Sequence, residues 1–426
     1  MKKVLVIGGA GAMGQVIVRD LLESGPANSA DLAVVIADFD EAKAKKMADS
    51  LGTVTQADGS MTNADVTGVF TDITNHDVLV KSMTGIDLVI NSTPYYHNVT
   101  VMEACLAAGC HYIDLGGLFH VSKEQLKLDK RFQEAGILAV LGMGAAPGMT
   151  NIMAAAGQKD LDTVDSIDIY VGSIDNTVFD HPFAVPYSIE TLIDEYTLSP
   201  MVFEDGFKSV PPLSGAVKVD FPQPVGTQEA IYTLHSEVLT LPMTYAEKGC
   251  RRATFRLGLP MEFHEKLKFL MSLGFGDKEK ISTADGAVSP RKMLAAMLAK
   301  FPMPEVEPDD CEVVRVDVAG LKDGRKTLVR LETTVYSHKR WQLSCGALDT
   351  GVPPSIVAQM ILSGQITQKG VLPPEVAVEP QSFFEELAKR QIVMRQISEE
   401  VLVSSGAVSD SGSGTETKSK LLSQTT

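Results

Sequence analysis

Near the N-terminus, Gly9-Ala10-Gly11-Ala12-Met13-Gly14 carries a GxGxxG spacing, the pattern that cradles the pyrophosphate of a dinucleotide when a strand precedes it and a helix follows. Val4–Ile7 is a short apolar run, and Met13, Ile17 and Leu21 then recur every four residues, which is helix spacing. Gly9 permits the tight turn, Gly11 lets the backbone approach the phosphates, and Gly14 lets the helix pack on the sheet. The free amides of Ala12 and Met13 at the helix start meet the negative charge. Asp38 ends the next apolar run, 24 residues after Gly14. A carboxylate there accepts from the adenosine ribose hydroxyls and repels a 2′-phosphate. Phe39 and Asp40 follow it instead of an arginine, so NAD is the expected cofactor. The plainer alternative makes Asp38 a turn residue and Asp40 a helix cap. Asn91-Ser92-Thr93-Pro94 ends a later apolar run, and Asn91, Ser92 and Thr93 suit the nicotinamide ribose. Asp72 is either an adenine neighbour or the cap of a helix starting near His76.

These residues need a scaffold that brings strand ends together. Apolar runs at 31–38, 68–73, 87–94, 111–117 and 137–144 alternate with helical patterns such as 97–108 and 123–135. Such alternation over residues 1–150 predicts an α/β unit with a doubly wound parallel sheet, a Rossmann domain. After Pro147-Gly148 the pattern changes. Residues 151–350 read as an α+β substrate and dimerisation domain with a mainly antiparallel sheet. The Glu204-Asp205-Gly206 turn, helices at 263–272 and 290–300, and two facing strands joined around Lys322-Asp323-Gly324-Arg325 belong to it. Gly351-Val352-Pro353-Pro354 starts a helix over 356–362, and residues 351–398 return the chain to the first domain. Residues 399–426 are rich in Ser, Gly and Thr. They bury too little apolar surface to repay ordering and read as a disordered tail.

Composition narrows the function classes. The 426 residues are 44% hydrophobic and 22% charged, within the ordinary globular range. Thirty-eight basic against 54 acidic side chains leave a net charge of −16. That excludes a phosphate-backbone binder, which needs a basic stripe, and an anionic membrane surface as partner. No apolar run reaches the ~20 residues a membrane helix needs. The five cysteines are scattered, with no metal-ligand spacing. Reduced thiols in a cytoplasmic protein without a metal are the simple reading.

The motifs GGAGAMG with ADFD, VINSTPYY, CHYIDLGGLFH, GMGAAPGMTNI, IYVGSI, YTLHSEVLTLP and GVPPSIVAQMI with GVLPPE span residues 4–375. Together they resemble the saccharopine dehydrogenase family, most closely its lysine 6-dehydrogenase branch. The resemblance implies hydride transfer between a nicotinamide and a carbon bearing nitrogen, an amino-acid substrate and a homodimer. In the lysine branch the ε-amino carbon of L-lysine is oxidised to allysine with release of ammonia. The alternative is a saccharopine-type or carboxynorspermidine-type enzyme that joins an amine to a carbonyl by reduction, or a non-catalytic NAD sensor. Pro94-Tyr95 matches a Pro-Tyr pair that places its Tyr near the substrate in the saccharopine reductases. His120 stands where those reductases carry an acid, and Met143 where they carry a Cys. The Asp114–Gly117 segment is like that of the lysine branch.

Oxidising an amine needs it neutral. For a lysine ε-ammonium of pKa about 10.4, that costs ~4.6 kcal/mol at pH 7, so a base must lie beside the nicotinamide. Histidine suits the task. His120 follows two glycines at a strand end and is the first choice; an exposed helix-start histidine is the bland reading. Tyr95 orients the amine or simply packs. Asp114 holds a histidine or caps the Gly116-Gly117 turn. His235-Ser236-Glu237, in the second domain, reaches over the cleft or alternates along a strand. The substrate carboxylate calls for a guanidinium. Arg251, Arg252 and Arg256 offer one, with Arg252 and Arg256 on one strand face, although a solvated arginine is the commoner outcome. Thr350 closes the far wall, and Met143-Gly144 lines the nicotinamide end.

Overall fold

The computed structural model describes residues 1–400 apart from 25–31, 56–60, 182, 184, 186, 187, 285 and 302–305. Seven strands form the first sheet, in the order Gly370–Leu372, Leu138–Val140, His111–Asp114, Leu88–Asn91, Lys2–Ile7, Leu32–Asp38 and Asp65–Phe70. Every neighbouring pair is parallel. Both faces are covered, which is why the strands read as unbroken apolar runs. Val4, Val6 and Ile36 face one core cluster, and Leu5, Ile7 and Val89 face the other. The strand ends at Ile7, Asp38, Asn91 and Asp114 therefore lie along one edge, where open α/β sheets bind ligands.

A nine-stranded sheet forms the second layer. Arg252–Gly258 runs parallel to Thr163–Asp175, and the remaining pairings are antiparallel. Alternation divides this sheet into two faces. Ile167, Ile169, Phe255, Val314 and Val316 point into the core shared with the first domain. Asp168, Thr254, Arg252 and Arg256 lie on the other face, where they bond to one another. Helix Met149–Gly157 packs on the second sheet. A side chain on Gly157 would meet Val318 and Leu331 at 2.9 Å.

Several boundaries differ from the sequence expectations. The strand expected at 68–73 is Asp65–Phe70, and the helical stretch at 123–135 is two helices, Leu118–Leu126 and Asp129–Glu134. The helix expected to begin at Gly351 begins at Cys345 and carries Pro353 and Pro354 inside it. Proline disfavours a helix interior, but tertiary packing overrides it here. Gly351 presses this helix onto the first one, with no room for a side chain before Val16 at 2.6 Å. Glu399 and Glu400, read as tail, pair with Leu328 and Thr327 in a strand, Arg395–Glu400. Residues 401–426 lie outside the described residues. No helix among the described residues is long and apolar enough to cross a membrane.

Candidate active site

The glycine loop is tied to the sheet by the amides of Gly8 and Gly9, which donate to Ala37 O at 2.8 and 3.2 Å. A Cβ on Gly14 would lie 2.3 Å from Gly8 O, so only glycine allows this helix to start here. Gly11 caps the helix Ala12–Glu23 without a side-chain bond, so no side chain of the cap competes for the amides of Ala12 and Met13. Asp38 accepts from Ala10 N at 3.3 Å and from Asp40 N at 3.1 Å. Asp40 accepts from Lys43 N and caps the next helix. Ser92 Oγ donates to Ile7 O at 2.7 Å, and the Thr93 methyl stands over Gly8. This loop, helix start and carboxylate fit a bound dinucleotide.

Two residues expected at the cofactor are committed elsewhere. Asn91 is buried, donates to Asn98 Oδ1 at 2.9 Å and accepts from Thr93 Oγ1 at 2.6 Å. It shapes the strand-end loop from within. Asp72 accepts from the Thr74 amide and hydroxyl at 2.9 and 2.6 Å, which lowers its pKa. The helix it was expected to cap is capped by Asn75.

Asp114 and His120 do not form a catalytic pair. Asp114 is fully buried and accepts from Gly116 N at 2.9 Å, Gly142 N at 2.7 Å and Gln125 Nε2 at 2.6 Å. Burial pushes its pKa up against these bonds. Its role is to lock two strand-end turns. His120 lies in the first turn of Leu118–Leu126 and is exposed, its ring against the edge of Phe119. Phe119 takes the inward position and packs on Leu234 and Leu239. The order of residues on the helix turn thus puts the phenyl, not the imidazole, against the second domain.

His235 follows Leu234, one residue beyond that contact. His235 stacks on Phe255 with ring centroids 3.5 Å apart and lies between two acids. Its Nε2 is 3.6 Å from Glu195 Oε1 and its Nδ1 is 3.4 Å from Glu237 Oε2. Glu237 is fully buried and accepts from Thr150 Oγ1 at 3.0 Å, at the start of the helix after the Gly144–Gly148 turn. Burial alone would lower the His235 pKa, but the Glu237 and Glu195 carboxylates override it and raise it to about 9. At neutral pH this ring is an imidazolium, a proton donor.

Glu195 has a neighbour, Asp194, on the same helix, Ile189–Thr197. Asp194 accepts from Tyr95 OH and from Arg291 Nη1, both at 2.7 Å. Burial raises the Asp194 pKa, yet Arg291 and Tyr95 outweigh that and hold it below the usual carboxylate range. Burial, then the bond to Asp194, pushes the Tyr95 phenol well up, so Tyr95 stays protonated and serves as a donor. One short helix thereby joins Tyr95 of the first domain to His235 of the second. Sequence reasoning missed Asp194, Glu195 and Arg291; the signal was an Asp-Glu pair within an amphipathic segment. Tyr95→Phe is expected to lower kcat/KM about tenfold, the loss of one charged hydrogen bond (~1.5 kcal/mol), with dinucleotide affinity unchanged by titration calorimetry.

Arg252 is a correction. It shares a strand face with Arg256, as its spacing implies, but that face turns away from Phe255 and His235. Its guanidinium pairs with Asp168, and Arg256 donates to Tyr232 OH at 2.6 Å. Arg251 pairs with Asp205 at the surface. The buried arginine on the Tyr95 side is Arg291. Thr350 stands against Gly144, its methyl 3.5 Å from where a Gly144 Cβ would lie.

A parallel sheet with a glycine-loop nucleotide site, joined to a second domain whose loops and helices gather His235, Glu195 and Glu237, is the plan of a nicotinamide-dependent oxidoreductase. The saccharopine dehydrogenase NADP binding domain matches residues 4–140 and the saccharopine dehydrogenase C-terminal domain matches residues 144–393. The chain belongs to the saccharopine dehydrogenase family of NAD(P)-dependent oxidoreductases. It is 25% identical to the carboxynorspermidine synthase of Vibrio alginolyticus over 88% of this chain and 92% of that protein. It is 25% identical to the carboxyaminopropylagmatine dehydrogenase of Synechocystis sp. over 74% of this chain and 80% of that protein. The Vibrio relative's name matches the carboxynorspermidine-type alternative, and neither relative carries the lysine-branch name that the motifs suggested. The apo saccharopine dehydrogenase (L-Glu forming) of Saccharomyces cerevisiae shares the fold, with a TM-score of 0.71 and 18% identity over 94% of this chain and all of that one.

Proposed function

We propose that this chain reduces the C=N bond formed between an amine and a carbonyl compound, giving a carboxylated secondary amine, with NADH as hydride donor. The observation that carries this is the placing of His235 between the Glu195 and Glu237 carboxylates. Condensation forms a carbinolamine that must lose water, and an imidazolium can protonate the departing hydroxyl. Loss of water leaves an iminium whose nitrogen already carries its own proton, and hydride addition at its carbon gives the secondary amine. Of the three buried acids at the site, Asp194 is paired with Arg291, and Glu195 and Glu237 flank His235. Tyr95, whose hydroxyl proton goes to Asp194, keeps its phenol oxygen free to accept from the amine and orient it. The cofactor, when bound, supplies the hydride. The named relatives support the same direction of reaction. A homodimer is part of this proposal, testable by light scattering.

The test follows NADH and NADPH oxidation with diamines, each paired with an aldehyde- or keto-bearing amino acid. L-lysine and saccharopine are assayed with the oxidised cofactors. Turnover with an amine–carbonyl pair is expected. Reduction of NAD by L-lysine alone would instead establish the lysine reading, which the Asp114–Gly117 resemblance favours.

NAD over NADP is the proposed preference, resting on Asp38. A carboxylate and a phosphate about 4 Å apart repel by ~1 kcal/mol even in bulk water. Asp38→Ser is therefore expected to narrow the ratio of kcat/KM for NADH over NADPH about fivefold. Equal rates with both cofactors in the parent protein would remove the ribose role.

A further inference from the structure

Glu237, Thr240 and Thr244 lie three and four residues apart on the helix Glu237–Thr244, the spacing of one helix stripe. Thr240 and Thr244 meet a further buried carboxylate, Glu375. It sits in the short helix Pro374–Ala377, just after the edge strand Gly370–Leu372 of the first sheet. Its Oε1 accepts from Thr244 Oγ1 at 3.1 Å and its Oε2 from Asn151 Nδ2 at 2.8 Å, and Thr240 adds a third side-chain bond. Asn151 also donates to Thr240 Oγ1 at 3.2 Å and accepts from Gly148 N at 3.0 Å. It neighbours Thr150, whose hydroxyl holds Glu237. Burial raises the Glu375 pKa against the pull of these bonds. Tyr245, the titratable group beside it, is pushed up by burial and by Glu375 itself, and stays a phenol.

We propose that Glu375 is a positioning residue for the reduction: it fixes the helix Glu237–Thr244 against the helix Met149–Gly157, and so holds the Glu237 carboxylate beside His235. The inference rests on the reading of His235 as the acid of that reaction. Glu237 opens its helix, so a small slide or rotation of the helix carries the carboxylate away from the imidazole, 3.4 Å off. A helix of eight residues with Pro242 inside it has few backbone bonds of its own, and tertiary contacts must set its place. Glu375 supplies them one and two turns beyond Glu237. Through Asn151 the same carboxylate is tied to the Gly144–Gly148 turn. Glu375 moves no proton in the reaction.

The experiment titrates His235 by NMR in the full chain labelled at its histidines, with His235→Asn giving the assignment and no amine or cofactor present. Amine–carbonyl turnover, NADH affinity and the urea midpoint are measured alongside. The proteins are the parent, Glu375→Ala, Glu375→Gln and the double change Thr240→Val with Thr244→Val. In Glu375→Ala the His235 titration is expected to move down by about one pH unit, the low end of what one nearby opposite charge supplies. Its kcat should fall about 10- to 100-fold, the cost of a misplaced catalytic group, with NADH affinity kept. The threonine variant should move the titration the same way, and it decides the matter if the alanine variant does not fold. Glutamine keeps an acceptor for Asn151 and an amide for the threonine hydroxyls, so Glu375→Gln should stay close to the parent. A lowered urea midpoint with an unmoved His235 titration overturns the proposal, and so does a loss in Glu375→Gln equal to that in Glu375→Ala. A parent that reduces no amine–carbonyl pair overturns the proposed reaction instead, and the titration still reads whether Glu375 places Glu237.

Discussion

His235→Asn is expected to lower kcat for amine–carbonyl reduction by about 10²–10⁴-fold, the usual loss when one positioned acid–base group is removed, while NADH affinity stays at the parent value. The pH profile gives the sign. With the ring's pKa raised to about 9, the parent's reductive rate holds through neutrality and falls as pH rises through about 9. The oxidative rate rises over the same window, because the neutral ring can then accept a proton. Both inflections should be absent from the asparagine variant. Glu195→Gln removes one of the two carboxylates that raise the pKa, so the inflection should move down while activity persists. Linkage runs the same way. A group whose folded pKa lies above its unfolded value of ~6.5 contributes stability that is full below that value and lost as pH rises through about 9. An unmoved profile in both variants would remove His235 from the chemistry.

Arg390→Met is expected to destabilise the chain by ~3–5 kcal/mol, the cost of leaving a buried charge unpaired. Asp20 is fully buried in the first helix. It accepts from Arg390 Nε at 2.8 Å, Ser355 Oγ at 2.7 Å and Ser24 Oγ at 3.0 Å. Arg390 also donates to Glu386 Oε2 at 2.8 Å. These bonds join the helix that follows the glycine loop to helix Cys345–Leu362 and to the end of helix Pro380–Lys389. The variant should unfold at lower urea, with dinucleotide affinity weakened because the first helix carries the loop. The double change Asp20→Asn with Arg390→Met removes both charges and should recover most of the loss. If the single variant matches the parent's urea midpoint, the network is not what holds the C-terminal segment to the first domain.

What the sequence determined by itself is local or periodic. Gly9, Gly11 and Gly14 announce a strand–turn–helix because backbone contacts at that turn exclude a Cβ, a constraint confined to a few neighbouring residues. Unbroken runs such as Val4–Ile7 imply strands covered on both faces. Lys322-Asp323-Gly324-Arg325 marks a hairpin because Asp323 and Gly324 adopt positive φ. Asp38 was legible because its distance from the glycines is set by the length of one helix and one strand. The proposed acid–base site was not. Tyr95 meets Asp194 across 99 residues and Asp20 meets Arg390 across 370, while Glu195 reaches His235 only because one short helix lies across the cleft. His120 and Arg252 are the right residue types at plausible positions. A helix turn points one to solvent and strand alternation points the other to the far face of the sheet. Which acids surround a histidine, and so whether it gives or takes a proton at neutral pH, depends on the closing of long loops between two sheets, and that packing is a property of the whole fold.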